Sequence, residues 1–441
     1  MLDALVSRIE SVDRFAQLGR TTRVVGLVIE ATGVEVGMGE LCRIRATRAT
    51  HSVLAEVVGF HERGALLMPL GPLDGLHPGS LVEPLGRSLG ADVGPELLGR
   101  VVNALGQPMD GKGKPQASRR VPMAKRPPNP LERSTIDEPL ITGVRSIDGM
   151  LTFGKGQRVG IFAGSGVGKS TLLGMIARHT SADVNVIALL GERGREVRDF
   201  IENSLGPEGL ARSVVIVATG DEAALIRARG AQLATAIAEY YRDQGKHVLL
   251  MLDSITRVAM AWREIGLAVG EPPTTKGYPP SVFAALPRLL ERAGNSATGS
   301  ISGIYTVLVE GDDFNEPISD AARSVLDGHV ILSRRLATAS HFPSVEVLDS
   351  RSRVRDQVAD AEQRKAADTL TRLMAAYREK EELIAVGAYQ AGADPVLDTA
   401  IRMRPAIESF LVQAPDESTG FAETRRALVE LASRAATGGG P

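Results

Sequence analysis

The sequence predicts an α/β core on a mainly parallel sheet, preceded by a small β-barrel and followed by a helical domain. Three observations carry this reading. Between residues 135 and 357, strand-like apolar runs alternate with long helical stretches such as 222–244. Upstream, residues 20–90 break into short β-rich runs separated by Gly-rich turns. Downstream, residues 358–441 are dominated by Ala, Glu, Arg and Leu.

Residues 2–18 place Leu2, Leu5, Val6, Ile9, Val12, Phe15 and Leu18 at helical spacing, so residues 1–19 are expected as an amphipathic helix. It either packs on the body of the protein or docks a partner. The β-rich runs 23–30, 41–45, 52–60 and 65–70 fit a small barrel or a sandwich, and a barrel is expected. No catalytic constellation stands out there. Residues 91–134 read as a connecting segment. Its Pro, Lys and Arg between 111 and 130 disfavour helix and central strand, and no aromatics are interleaved for nucleic acid. In the core, the runs 184–190, 213–219, 247–253, 303–310 and 329–333 are almost continuously apolar. Such strands belong to a sheet covered on both faces, with any ligand at their carboxyl ends.

Composition narrows the function. The chain has 441 residues, 43% hydrophobic and 24% charged, with a net charge of −2. No global basic field is present to hold nucleic acid or an acidic membrane. Cys42 is the single cysteine, so no intramolecular disulfide forms and a reducing compartment is expected. No apolar run is long enough to span a bilayer, and the expected location is cytoplasmic.

The chemistry begins at Arg158–Phe162, a strand-like run that feeds into Ala163-Gly164-Ser165-Gly166-Val167-Gly168-Lys169-Ser170-Thr171 and then a helix. Strand, glycine-rich loop and helix together make a phosphate-binding P-loop. Glycines keep Cβ atoms away, so backbone N–H groups face phosphate oxygens. Lys169 reaches the β- and γ-phosphates, Ser170 ligates Mg²⁺, and the helix presents its positive end. Ala163 replaces the usual first glycine and suits a buried strand end. The loop therefore implies a nucleotide.

Two carboxylates complete this reading. Val248–Asp253 is an apolar strand ending in a carboxylate, expected beside the P-loop strand, where Asp253 holds Mg²⁺. Ser254 is available to cap the next helix. Glu192, just past the strand 184–190, is the candidate base for the attacking water. A salt bridge to Arg193 or Arg195 is the alternative. Glu196 is expected to be solvated.

These motifs continue through Leu98–Gly111, Thr142–Asp148, Gly191–Val197, Asp253–Arg257, Gly270–Phe283 and Tyr305–Asp313. Across nearly its whole length the chain resembles the hexameric rotary-type ATPases related to the catalytic β subunit of the F-type ATP synthase. Within them it most resembles the protein-export ATPases of type III secretion, through the Pro-Gly loop 270–283 and Val309–Asp313. Phe162–Gly166 and Ile384–Gly392 resemble flagellar members more than those of virulence injectisomes.

The resemblance implies a RecA-like P-loop NTPase core that hydrolyses ATP with Mg²⁺. It matches Lys169 and Ser170 to the phosphate and metal residues and Thr171 to an α-phosphate contact. Glu192 matches the catalytic glutamate, which is glutamine in the non-catalytic α subunits. Arg193 and Arg257 match arginines near the γ-phosphate. Arg353, in Ser350-Arg-Ser-Arg353, matches the arginine finger given to a neighbouring subunit, with Arg351 and Arg355 close by. Phe342 matches the aromatic residue that packs on adenine, and Phe421 is a candidate second wall. Residues 370–384 and 387–395, with the acidic stretch Tyr377–Glu382, match the part that touches a central stalk.

The partners implied are a homo-hexamer, a stator-like regulatory dimer at the N-terminal helix and a stalk-like coiled-coil protein at the ring centre. Export chaperones, their substrates and an export gate at the inner membrane complete the set, and nucleic acid is absent from it. A proton-coupled ATP synthase subunit is the main rival, opposed by the 270–283 loop. An RNA-translocating hexamer is opposed by the neutral charge, and a non-hydrolysing scaffold by Glu192.

Overall fold

The computed structural model describes residues 17–45, 52–62, 64–309 and 316–437. The helix expected over 2–18 lies outside these except for Gln17 and Leu18, which are not helical, and Gly19 already opens the first strand.

Six strands, β1 (Gly19–Val25), β2 (Val28–Thr32), β3 (Glu40–Arg45), β4 (Ser52–His61), β5 (Gly64–Pro69) and β6 (Leu81–Ser88), close into a barrel in the order β1-β2-β5-β4-β3-β6. Ile29, Ala31, Cys42, Ile44, Val57, Leu67 and Val82 are among the side chains that fill it. Closure removes the unpaired edges that a sandwich would leave.

The segment 91–134 does more than connect. Arg100–Asn103 (β7) is the edge strand of the core sheet. Composition hid this, because four residues carry little periodicity. The strand is fixed by Asp110, which accepts from Arg100 Nε at 2.6 Å and from the Val101 amide at 3.2 Å. The proline-rich part stays off the core sheet, as expected; its Arg119–Pro122 pairs antiparallel with Gly90–Val93.

The core sheet contains β8 (Arg158–Ala163), β9 (Val184–Glu192), β10 (Ser213–Thr219), β11 (His247–Asp253), β12 (Ser300–Leu308), β13 (Gly328–Leu332) and β14 (Arg351–Ser352). Their order is β14-β13-β8-β12-β11-β9-β10-β7. All neighbours run parallel except β13 with β14, and Gly294–Asn295 adds a short antiparallel pair to β12. Alternate residues of β11 enter two different cores, Val248, Leu250 and Leu252 one, Leu249 and Met251 the other. Helices cover both faces, so each of these side chains leaves water completely, worth about 1.5–3 kcal/mol apiece.

The order corrects one expectation. The strand ending in Asp253 is not beside the P-loop strand, because β12 lies between them. Apolarity alone does not rank buried strands, since every central strand is equally apolar.

Three core helices matter here: α1 (Lys169–His179), α2 (Ala224–Arg242) and α3 (Ile255–Ala268). The helical domain consists of α4 (Ala361–Ala385), α5 (Pro395–Leu411) and α6 (Phe421–Thr437). Asp360 and Asp394 cap α4 and α5 by accepting amide hydrogens. The domain is fastened to the core by Gln363, which donates to the Asp148 carbonyl at 2.9 Å and to Thr152 Oγ1 at 3.0 Å.

Candidate active site

The P-loop emerges from β8 as its spacing requires. Ala163 is the last residue of the strand and is buried. Gly166 and Gly168 have φ of +77° and +88°, a region where a Cβ is strained. Gly168 is also crowded from outside, since a Cβ there would lie 3.3 Å from the Phe342 ring. The segment carrying Phe342 forms a strap behind the loop, and Ser344 Oγ donates to the Val167 carbonyl at 2.6 Å. Phe342 is thus brought to the phosphate loop from 174 residues away and remains part-exposed.

Asp253 ends β11 and is 3% exposed. Thr306 on the intervening β12 donates to its carboxylate at 2.6 Å. Glu192 ends β9 just after an irregularity in the pairing between Leu190 and Glu192. Gly191, at φ +78°, makes that kink, and a Cβ there would meet the Arg257 side chain at 2.8 Å. The Lys169 ammonium donates to Asp253 and lies 3.3 Å from Glu192 Oε1. One lysine therefore bridges two carboxylates carried by different strands.

The three charges set each other. Burial raises the Glu192 pKa and Asp253 adds to the rise, while Lys169 opposes it. Burial alone would lower the Lys169 pKa, but Asp253 and Glu192 outweigh it and hold the ammonium above its ordinary value. Glu192 shows no pairing with Arg193 or Arg195; both arginines sit near Glu196, at 3.4 and 3.7 Å. Glu196 is solvated, as expected, with its side chain 41% exposed, and it lines the edge of the same cleft.

The cleft has a volume of 870 Å³. Gly164, Ser165, Gly166, Gly168, Lys169, Ser170, Thr171, Glu192, Arg193 and Arg257 all line it. Arg257 Nε is buried without a hydrogen-bond partner, and Ser254 caps α3 by accepting the Arg257 amide at 3.3 Å. Sequence reasoning did not single out Thr256, Arg263, Lys276, Tyr278 or Arg334, which also line the cleft. Tyr278 is buried under the Arg263 guanidinium, 5.0 Å from its ring centre. The signal available for it was an aromatic flanked by Gly277 and Pro279 inside the Pro-Gly loop.

Arg353 is not in this cleft. Its amide donates to the Asp327 carbonyl at 2.9 Å, next to Gly328, which pairs with Val159 at the start of β8. The P-loop leaves the other end of that strand, about 15 Å further along at 3.3 Å per residue.

The donor set fits a metal carried in with phosphate. Among the described residues no group of three His, Cys, Asp or Glu side chains is placed to hold a metal ion. Asp253 and Ser170 offer one carboxylate and one hydroxyl, which suits a hard cation whose remaining ligands are phosphate and water. The buried, unpartnered Arg257 Nε suits the accompanying anion.

A phosphate cradle at the carboxyl edge of a parallel sheet, with a lysine and two acidic strand ends, defines a P-loop nucleoside triphosphatase. The chain belongs to the ATP synthase alpha/beta family. Residues 143–352 match its nucleotide-binding domain and residues 21–86 its beta-barrel domain. Residues 359–430 match the type III secretion EscN ATPase C-terminal domain. The chain is 53% identical over 429 residues to the flagellum-specific ATP synthase of Bacillus subtilis, covering 97% of this chain and 98% of that protein. It is 52% identical to a type 3 secretion system ATPase of Xanthomonas euvesicatoria, covering 94% and 93%. Among solved structures it resembles the assembled ATPase EscN of the enteropathogenic E. coli type III secretion system, with a TM-score of 0.88 and 44% identity, over 94% of this chain and 100% of that one.

Proposed function

We propose that this chain is the ATPase of a bacterial flagellar protein-export apparatus, hydrolysing ATP to drive export and release cargo from chaperones. The observation that carries the hydrolytic reading is Glu192, a half-buried carboxylate at a strand end, 3.3 Å from the P-loop lysine. The Glu192 carboxylate orients a water against the γ-phosphorus and accepts its proton as the new P–O bond forms and the β–γ bridge breaks. Lys169 leaves the carboxylates for the phosphate oxygens, and Arg257 adds positive charge beside them. Ser170 and Asp253 would hold Mg²⁺, which would supply neutralisation of phosphate charge. Phe342 stacks on adenine beside Gly168.

Arg353 belongs to the neighbour's site in this reading. Its distance from its own P-loop supports that role, which requires a ring of copies, and the rotary-type family makes that ring a homo-hexamer. The EscN relative is solved as an assembly and with its central stalk EscO. By analogy with that complex the α4–α5 hairpin meets a stalk here; the family resemblance adds a stator-like dimer at the N-terminal segment and a place for the ring against the export gate at the inner membrane.

Glu192→Gln should retain nucleotide binding and lose turnover by at least about 100-fold. Activity within tenfold of the parent would remove Glu192 as the base. The type 3 secretion relatives favour a second reading, an injectisome ATPase. Deleting the gene separates the two: loss of flagella supports the first, and loss of needle secretion with motility intact supports the second.

A further inference from the structure

A second cavity, of 110 Å³, lies behind the strap, between residues 335–348 and helices α4 and α5. Its floor is apolar: Leu336, Val345, Leu373, Met374, Ile407 and Leu411. Its rim carries both charges, already paired. Arg335 lies 3.3 Å from Glu346 and 3.5 Å from Glu381, and Arg404 bonds Glu408 at 2.7 Å. The Arg404 guanidinium also stacks 3.9 Å from the centre of the Tyr377 ring.

Size and charge together select a ligand class. An enclosed apolar cavity of about 150 Å³ takes up benzene, so 110 Å³ sets a single small ring as the upper limit here. A charged ligand would have to break rim pairs and desolvate, whereas a neutral ring only fills the floor. The position gives such a ligand leverage. His341, Val345 and Glu346 face the cavity, while Phe342 and Ser344 of the same strap hold Gly168 and Val167 of the P-loop.

We propose that this cavity is a regulatory site for a neutral, single-ring aromatic compound, and that filling it tightens nucleotide binding by bracing the strap against the P-loop.

The test uses the full chain with phenol, and with benzoate and benzamidine as charged counterparts. Phenol should bind saturably at one site per chain, with a Kd on the order of 1 mM, as few-atom ligands do. Saturating phenol should raise the affinity for a fluorescent ATP analogue about fivefold. Ala400→Leu, which fills the cavity from the protein's own side, should abolish phenol binding and make the analogue's affinity insensitive to phenol. If that variant does not fold, Leu373→Ala should instead admit the larger indole, which the parent excludes. Absence of saturable phenol binding overturns the site, and equal binding of benzoate overturns the ligand class. An unchanged analogue affinity overturns the coupling. Binding confined to acetyl-phenylalanine amide would make the cavity a pocket for a partner's side chain and overturn the proposal.

Discussion

The Lys169 ammonium lies between two carboxylates in different surroundings. Asp253 is buried and bonded by Thr306, which suits it to a fixed charge. Glu192 lies at the cleft with its pKa raised by burial, which suits it to proton transfer. Gly168 is the tightest point of the loop. Gly168→Ala puts a methyl group against Phe342 at a φ of +88°, and should weaken ATP binding at least about tenfold in a titration. A second prediction concerns His247, buried at the start of β11. Burial, then the charge of Lys155, lowers its pKa from 6.5 to about 4. Below pH 6.5 the unfolded chain takes up a proton that the folded chain refuses until about pH 4. Stability is therefore lost as pH falls through that window, by about 2 kcal/mol at pH 5. Denaturant melts of the parent and His247→Gln at pH 7 and pH 5 should show the smaller drop in the variant. The P-loop, Asp253 and Glu192 were legible because each is a local pattern at a strand end. Ser344 was not, because its partner Val167 is 177 residues away and a lone serine carries no signal.

At the scale of elements, the strap is the informative case. Its Ser344 hydroxyl is the bond that fastens a loop from one part of the chain to the phosphate cradle of another. Ser344→Ala leaves the Val167 carbonyl without this donor and should cost about 1 kcal/mol of stability with a matching loss of ATP affinity. A calorimetric titration checks this, and an unchanged affinity would confine the bond to folding. The barrel and the parallel sheet could be read from periodicity and apolar runs. Strand order could not, because β12 and its neighbours are equally apolar, and β7 is too short to announce itself.

At the scale of the molecule, the site is divided if Arg353 serves the neighbouring cleft. Arg353→Ala should still assemble and lose at least about 10³-fold in turnover. Mixing it with Glu192→Gln should restore part of the activity, because some interfaces then combine an intact Glu192 with an intact Arg353. Absence of recovery would place the finger elsewhere. The barrel is tied to the core by Arg229 of α2, whose guanidinium grips the buried Glu56 carboxylate of β4. Arg229→Met strands that buried charge and should cost about 3–5 kcal/mol, read as a fall in melting temperature.

The edge strand β7 has its own consequence. The chain leaves the barrel at β6 and, within a dozen residues, is hydrogen-bonded to β10 of the core sheet. With Glu56 and Arg229 as the second tether, the barrel has no slack tether on which to swing or melt alone. Heating should therefore give one joint transition for barrel and sheet rather than two, and amide protons of β3 and β10 should exchange with similar protection.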